Sequence, residues 1–198
     1  MTDRSIEEIQ QAVRKKYAEV SCSAAGKFRY LTGRAGAVAL GYDLSPLSDL
    51  PDDVFDTFCG VGNPFALESI HRGEKLLDVG CGTGLDMILA SRLVGPVGWV
   101  RGIDLTPEMV EKAQVNFVRA GANNASAVVA GSEAIPYDDN TFDVVISNGV
   151  LNLSPLKEES LHEIFRVLRA GGRLQIADIV LNEDLPADVT NSLDAWSN

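Results

Sequence analysis

Between Gly73 and Ile179 short apolar runs alternate with helical patterns, and a turn holding Gly80, Gly82 and Gly84 joins the first run to the first helix. Lys75–Val79, Trp99–Asp104, Ala125–Val129, Phe142–Ser147 and Arg173–Ile179 have the length and apolar character of buried strands. Helical patterns cover Asp86–Leu93 and Leu156–Leu168, the second stopped by Gly171 and Gly172. Another helix opens at Thr106 as N-cap, with Pro107 at the first helical position. Alternation of this kind needs helical crossovers between parallel strands. The expected fold is therefore α/β, with a doubly wound and mainly parallel sheet.

Residues 1–72 do not share that rhythm. Ser5 followed by Glu8 reads as a capping box, and Ile6, Ile9, Val13 and Tyr17 continue a helical apolar stripe to about Val20. Beyond it, Gly and Ser are scattered through 21–26, and a Leu-Ser-Pro-Leu turn follows at 44–47. We read 1–72 as a helical extension or lid, and 73–198 as the ligand-binding domain.

Composition narrows the partners. A net charge of -11 repels phosphate backbones, so nucleic acid is not an expected partner. There is no signal-peptide pattern at the N-terminus and no apolar run of membrane-spanning length. Cys22, Cys59 and Cys81 form neither a disulfide framework nor a paired zinc or redox pattern. A reducing, cytoplasmic setting is expected, with no metal site.

The glycine turn carries the functional signal. Asp78-Val79-Gly80-Cys81-Gly82-Thr83-Gly84 places a flexible backbone at a strand-to-helix junction, where the helix N-terminus favours a carboxylate. A dinucleotide fingerprint would need glycine at 85, and the chain has Leu85. Asp104 ends the second strand 20 residues beyond Gly84, where an acidic side chain can accept from both ribose hydroxyls of an adenosine. The alternatives are a tight turn that binds nothing, and a carboxylate serving the helix that opens at Thr106.

The Asp78–Gly84 spacing resembles motif I of class I methyltransferases, which hold S-adenosylmethionine on a Rossmann-like sheet. That resemblance places Gly131 and Ser132, after the third strand, against adenine. The acidic group that such methyltransferases carry there is absent, since Gly131 stands in its place; the Ser132 amide or hydroxyl could still contact adenine, while Glu133 reads equally as a solvated loop charge. Asp78, Gly80, Cys81, Gly82, Gly84, Asp104, Leu105, Gly131, Ser132, Asn148 and Tyr17 are the candidate cofactor-binding residues.

From about Glu7 onward the chain resembles the arsenite S-adenosylmethionine methyltransferases. The resemblance rests on Ala39–Tyr42, Gly62-Asn63-Pro64, the glycine turn, Arg92–Pro96, Gly102–Met109 and Ser147–Pro155. It implies a helical extension over the cofactor, with Tyr17 either closing on it or packing in the core. The departures concern the thiols that hold trivalent arsenic, a soft ion that prefers sulfur. Gly149 and Val61 stand where the family has cysteines, Cys59 is displaced by two positions, and the family's C-terminal cysteine would fall just past Asn198. The N-terminal cysteine cluster is reduced to Cys22, and Cys81 is not an arsenic position.

No Asn-Pro-Pro-Tyr or Asp-Pro-Pro-Tyr motif points to a nitrogen acceptor, His71 and His162 are isolated, and no catalytic residue is assigned. Three readings stand: a methyltransferase like the arsenite enzymes acting on a small acceptor, one that methylates carbon or oxygen of an organic small molecule, and a cofactor-binding protein without turnover. Class I methyltransferases add two strands after the fifth strand and its helix. Here that helix would begin near Val189, so the two strands are expected to be missing, as in a fragment or a truncated homologue. The fifth strand would then present an edge open to self-association.

Overall fold

Ser5 opens the first helix as its sequence predicts: its hydroxyl accepts from the Glu8 amide while the Glu8 carboxylate accepts from the Ser5 amide. In the computed structural model, which describes residues 5–180, this helix is α1 (Ile6–Val20). Ile9, Val13 and Val20 form its buried stripe, while Ile6 is left exposed. A short α2 (Gly33–Ala39) follows, and the alternating region then runs β1 (Lys75–Val79), α3 (Leu85–Val94), β2 (Trp99–Asp104), α4 (Pro107–Ala120), β3 (Ala125–Val129), β4 (Phe142–Asn148), α5 (Lys157–Val167) and β5 (Leu168–Ala177).

The five strands pair in the order β3-β2-β1-β4-β5, all parallel. The expected doubly wound architecture is thus borne out, with the strand order reversing between β1 and β4. Such a reversal opens a crevice at the carboxyl ends of the central strands. Alternate residues of β1 serve the two faces. Leu76 packs with Met87, Val94 and Val100 on the α3–α4 side, whereas Leu77 and Val79 join Ile164 and Val167 on the α5 side.

Residues 37–58 extend the first of these cores. Ala37, Tyr42, Leu47, Leu50, Val54, Phe55 and Phe58 are all buried in the same cluster as α3 and α4. Arg92 of α3 holds the Pro46 carbonyl and Asp49, and Arg119 of α4 pairs with Asp53 at 2.7 Å. These ion pairs are surface contacts worth little individually. The apolar seam does the fastening.

β4 runs one residue past its expected end, to Asn148, and β5 differs more. β5 starts at Leu168, directly after α5, five residues earlier than the apolar run suggests. Gly171 and Gly172 lie within it and do not form a helix stop. Phe142 pairs with Leu168 and Val144 with Arg173, so β5 takes five steps where β4 takes two. The surplus forms a bulge around Gly171, whose φ of 75° a residue with a side chain would adopt only with strain. The strand also ends at Ala177, two residues short of the expectation. Its outer edge has no partner strand among the described residues. The helix expected near Val189 lies outside the described residues.

Candidate functional site

The glycine turn is shaped by what it touches. Gly80 has φ 77°, and a Cβ there would collide with Val150. Its amide and that of Cys81 both donate to the Ile103 carbonyl, at 2.8 and 2.9 Å, which fastens the turn to β2. Thr83 is held from two sides: its hydroxyl lies 2.6 Å from that of Thr57, and its carbonyl accepts from the Asn116 Nδ2 at 3.0 Å. The extension and α4 therefore both brace the loop.

Asp104 sits at the end of β2 with one oxygen on each side of the turn. Its Oδ2 accepts from the Gly82 amide and its Oδ1 from the Thr106 amide, both at 2.9 Å. The carboxylate does some of what a helix cap would do, since the Thr106 side chain makes no capping bond. Each oxygen still has a lone pair for a ligand. Burial raises its pKa, and the Thr106 and Gly82 amides oppose that rise.

At the end of β4, Asn148 joins three remote segments. Its Oδ1 accepts from the amides of Val61 and Gly62, at 2.9 and 3.2 Å. Its Nδ2 donates to the Tyr42 hydroxyl, the Gly62 carbonyl and the Asp86 Oδ2, at 2.9, 3.0 and 3.2 Å. Tyr42 in turn donates to that Asp86 oxygen at 3.1 Å. Gly60 lies so close that a Cβ would collide with the Asn148 carboxamide. Asn148 is thus a clasp between β4, the 60–62 loop and α3.

These parts line one cleft, open at its mouth to solvent. Asp78, Asp86 and Asp104 all contribute to its wall, and among the described lining residues there is no Lys, Arg or His. Burial raises the pKa of Asp78 and of Asp86, and the Asp86 charge raises Asp78 further. α1 closes one side with Gln10, Val13 and Tyr17. Gln10 donates to the Glu133 Oε1 at 2.7 Å, tying the helix to the loop after β3. Burial raises the Tyr17 phenol well above its ordinary pKa. The Cys59 thiol, packed near Tyr17 and Phe28, is likewise pushed up to about 12.

Of the residues singled out from the sequence, Asp78, Gly80, Cys81, Gly82, Asp104, Leu105, Gly131, Ser132, Asn148 and Tyr17 all line the cleft. Gly84 does not. Its φ of 87° and its distance from Phe117, whose Cε1 would lie 2.6 Å from an added Cβ, make it the packing contact between the turn and α4. Two other roles shift. The Ser132 hydroxyl is spent on that of Ser160 at 2.7 Å, which leaves its backbone for a ligand. Glu133 folds back over Gly131, so an acidic group stands at the rim although the sequence places none at position 131. Gln10, Thr57 and Asp86 were not legible as site residues. Among the described residues no group of three His, Cys, Asp or Glu is placed to hold a metal.

Comparison with known proteins places the chain in a family. The methyltransferase domain family matches residues 70–198. The chain belongs to that family. The arsenite methyltransferase of Halobacterium salinarum is 36% identical over 96% of this methyltransferase-domain chain and 52% of its own length. The ubiquinone/menaquinone biosynthesis C-methyltransferase UbiE of Pasteurella multocida is 40% identical over 55% of the chain and 41% of its own length. Among solved structures, the arsenic(III) S-adenosylmethionine methyltransferase of Chlamydomonas reinhardtii superposes with a TM-score of 0.66 at 35% identity. That match covers 73% of the chain and 51% of the algal protein. The chain spans about half the length of the curated arsenite methyltransferases it matches.

Val61 and Gly149 are neighbours: a Cβ on Gly149 would lie 3.3 Å from both Val61 methyl groups. The two expected cysteine positions therefore meet at the cleft wall beside Asn148.

Proposed function

We propose that this methyltransferase-domain protein binds S-adenosylmethionine in the cleft and transfers its methyl group to a small acceptor. The observation that carries the reading is Asp104, pinned by the Gly82 and Thr106 amides at the cleft wall with lone pairs left for two ribose hydroxyls. The residues present fit that cofactor. Gly82 has open space where a side chain would be, and the orphaned oxygen of Asp86 is a buried acceptor beside the same wall. When bound, the cofactor supplies an electrophilic methyl group on a sulfonium. The protein's part is to hold the donor, align the acceptor and keep water out, work that proximity and orientation alone make productive. Residues 1–72 serve as the lid in this reading and 73–198 as the binding domain.

Calorimetry with S-adenosylhomocysteine tests it. Asp104→Ala should weaken binding by roughly 1–3 kcal/mol through loss of charge-assisted hydrogen bonds. Unchanged affinity would remove the ribose assignment, and equally tight NAD binding would remove the cofactor reading.

The acceptor is proposed to be an organic small molecule methylated on carbon or oxygen. Val61 and Gly149 favour it over arsenite, because no thiol is supplied where they meet. Half-buried Cys59, its thiol pushed up to about 12 by desolvation, does not replace a thiolate pair. Arsenite turnover is expected to be at background in a thiol-free assay. Val61→Cys with Gly149→Cys should create arsenite affinity, at some cost in stability because position 149 has φ 71°. Robust turnover by the unaltered chain would overturn this acceptor reading.

No helix among the described residues is long and apolar enough to cross a membrane. A cytoplasmic setting, no nucleic-acid partner and self-association along β5 are parts of the same proposal. A strictly monomeric chain in light scattering would remove the last of these.

A further inference from the structure

The net charge conceals an uneven distribution. Residues 14–31 carry Arg14, Lys15, Lys16, Lys27 and Arg29 against Glu19 alone, a local +4 in a chain of -11 that leaves -15 elsewhere. The fold gathers most of these cations into one patch. Lys27 pairs with Glu19, and Lys15 and Lys16 stand near enough to help it hold that carboxyl below its ordinary pKa. The Lys16 ammonium also lies over the Phe28 ring at 4.8 Å, and the Tyr30 ring is 5.1 Å from that of Phe28, centre to centre. Arg29, between those two rings in sequence, is exposed, as are Arg14 and Lys15.

Apolar surface accompanies the charges. Leu31 is 63% exposed and Tyr30 39%, directly after Arg29. Like charges gathered on one surface repel, so the cluster gives the folded chain nothing by itself. None of these cations is among the residues that line the cleft. An anionic partner turns the repulsion into attraction. Basic side chains interleaved with an exposed aromatic and an exposed leucine suit a lipid interface, where the charges meet anionic headgroups and the apolar side chains reach the acyl boundary. Screening confines that attraction to charges within about 8 Å of the surface, so the acidic remainder does not cancel it. That remainder is repelled at closer approach, which selects the orientation with the patch toward the lipid.

We propose that the basic and apolar patch of residues 14–31 docks the protein reversibly on an anionic lipid surface. The Tyr30 hydroxyl donates to the Cys59 carbonyl at 3.0 Å, and the Tyr17 ring lies 6.3 Å from that of Phe28. Tyr17 and Cys59 both line the cleft, so docking sets the cleft beside the lipid. The inference stands on the surface alone and holds whichever ligand the cleft takes.

Co-sedimentation of the full chain with vesicles tests it. Phosphatidylcholine vesicles containing about 30% phosphatidylserine should capture the chain at about 0.1 M salt, and release it at about 0.5 M. Vesicles of phosphatidylcholine alone should not capture it. Lys15→Gln with Arg29→Gln should weaken partitioning by about 10- to 50-fold, at roughly fivefold per basic side chain near such a surface. Leu31→Ser should weaken it by about 3- to 10-fold. Arg72→Gln, which removes an exposed cation just ahead of β1 at the end of the sheet opposite the cleft, should change nothing. All these side chains are exposed, so each variant should melt with the parent. Equal capture by both kinds of vesicle, no capture by either, or a loss in Arg72→Gln as large as in the double variant would overturn the assignment. So would capture of a single-stranded oligonucleotide, or of a second copy of the chain, by the same residues in place of the vesicles.

Discussion

Asn148→Ala is expected to destabilise the protein by about 2–4 kcal/mol, because it removes a donor to a buried carboxylate and leaves the Val61 and Gly62 amides unpaired. For a chain of this size that corresponds to a fall in melting temperature of roughly 5–15 °C. The loss should be local as well as global. The 60–62 loop hangs on the Asn148 carboxamide, so its amides should exchange with deuterium faster in the variant than in the parent. Asn148→Asp should be worse still, since it sets a second carboxylate against Asp86 and removes the Nδ2 donor. A variant that melts with the parent and protects the loop equally would show that the clasp carries no stability.

The clasp also marks what could be read from the sequence. The bounds of β1, β2 and β3 match their apolar runs to the residue; β1 and β2 are central parallel strands whose burial shows in their composition, whereas β3 is an edge strand with Val128 and Val129 exposed and is marked by its β-branched run alone. The start of β5 was not legible. Leu168 and Arg169 continue the helical pattern, and Gly171-Gly172 reads as a stop unless a bulge is already known. Gly84 is the converse case: its spacing assigns it to the ligand, and its contact with Phe117, remote in sequence, could not be read there.

Asp86 and Tyr42 were missed for a related reason. Neither stands out locally, and their meaning comes from a hydrogen-bonded set spanning positions 42, 61, 62, 86 and 148. A signal was present. The Ala39–Tyr42, Gly62–Pro64 and Ser147–Pro155 segments were the ones that carried the family resemblance, and all three converge on Asn148. Shared segments that are far apart in sequence invited the question of whether they touch.

Asp86 leads to the second large effect, on the stability of the unliganded protein. Burial raises its pKa from 3.8 to about 6, with the Asn148 and Tyr42 hydrogen bonds opposing the rise. An acid whose folded pKa lies above its unfolded value binds more protons when folded, so stability falls as pH rises through the interval between the two. The unliganded chain should therefore lose stability from Asp86 between about pH 4 and pH 6, and carry the deficit unchanged above that. Asp78 faces the same cleft and is raised in the same direction, while the Tyr42 phenol is pushed far up and stays neutral throughout. Comparing the parent with Asp86→Asn isolates the one carboxylate, because Asp78 and Asp104 are common to both. The variant should match the parent near pH 4 and be more stable at pH 8 by about 1–3 kcal/mol, read as melting temperature or denaturant midpoint. With saturating S-adenosylhomocysteine the order should narrow or reverse, since the ligand stabilises only the form that binds it well. A parent more stable than Asp86→Asn at pH 8 without ligand would mean that the carboxylate is already compensated within the protein.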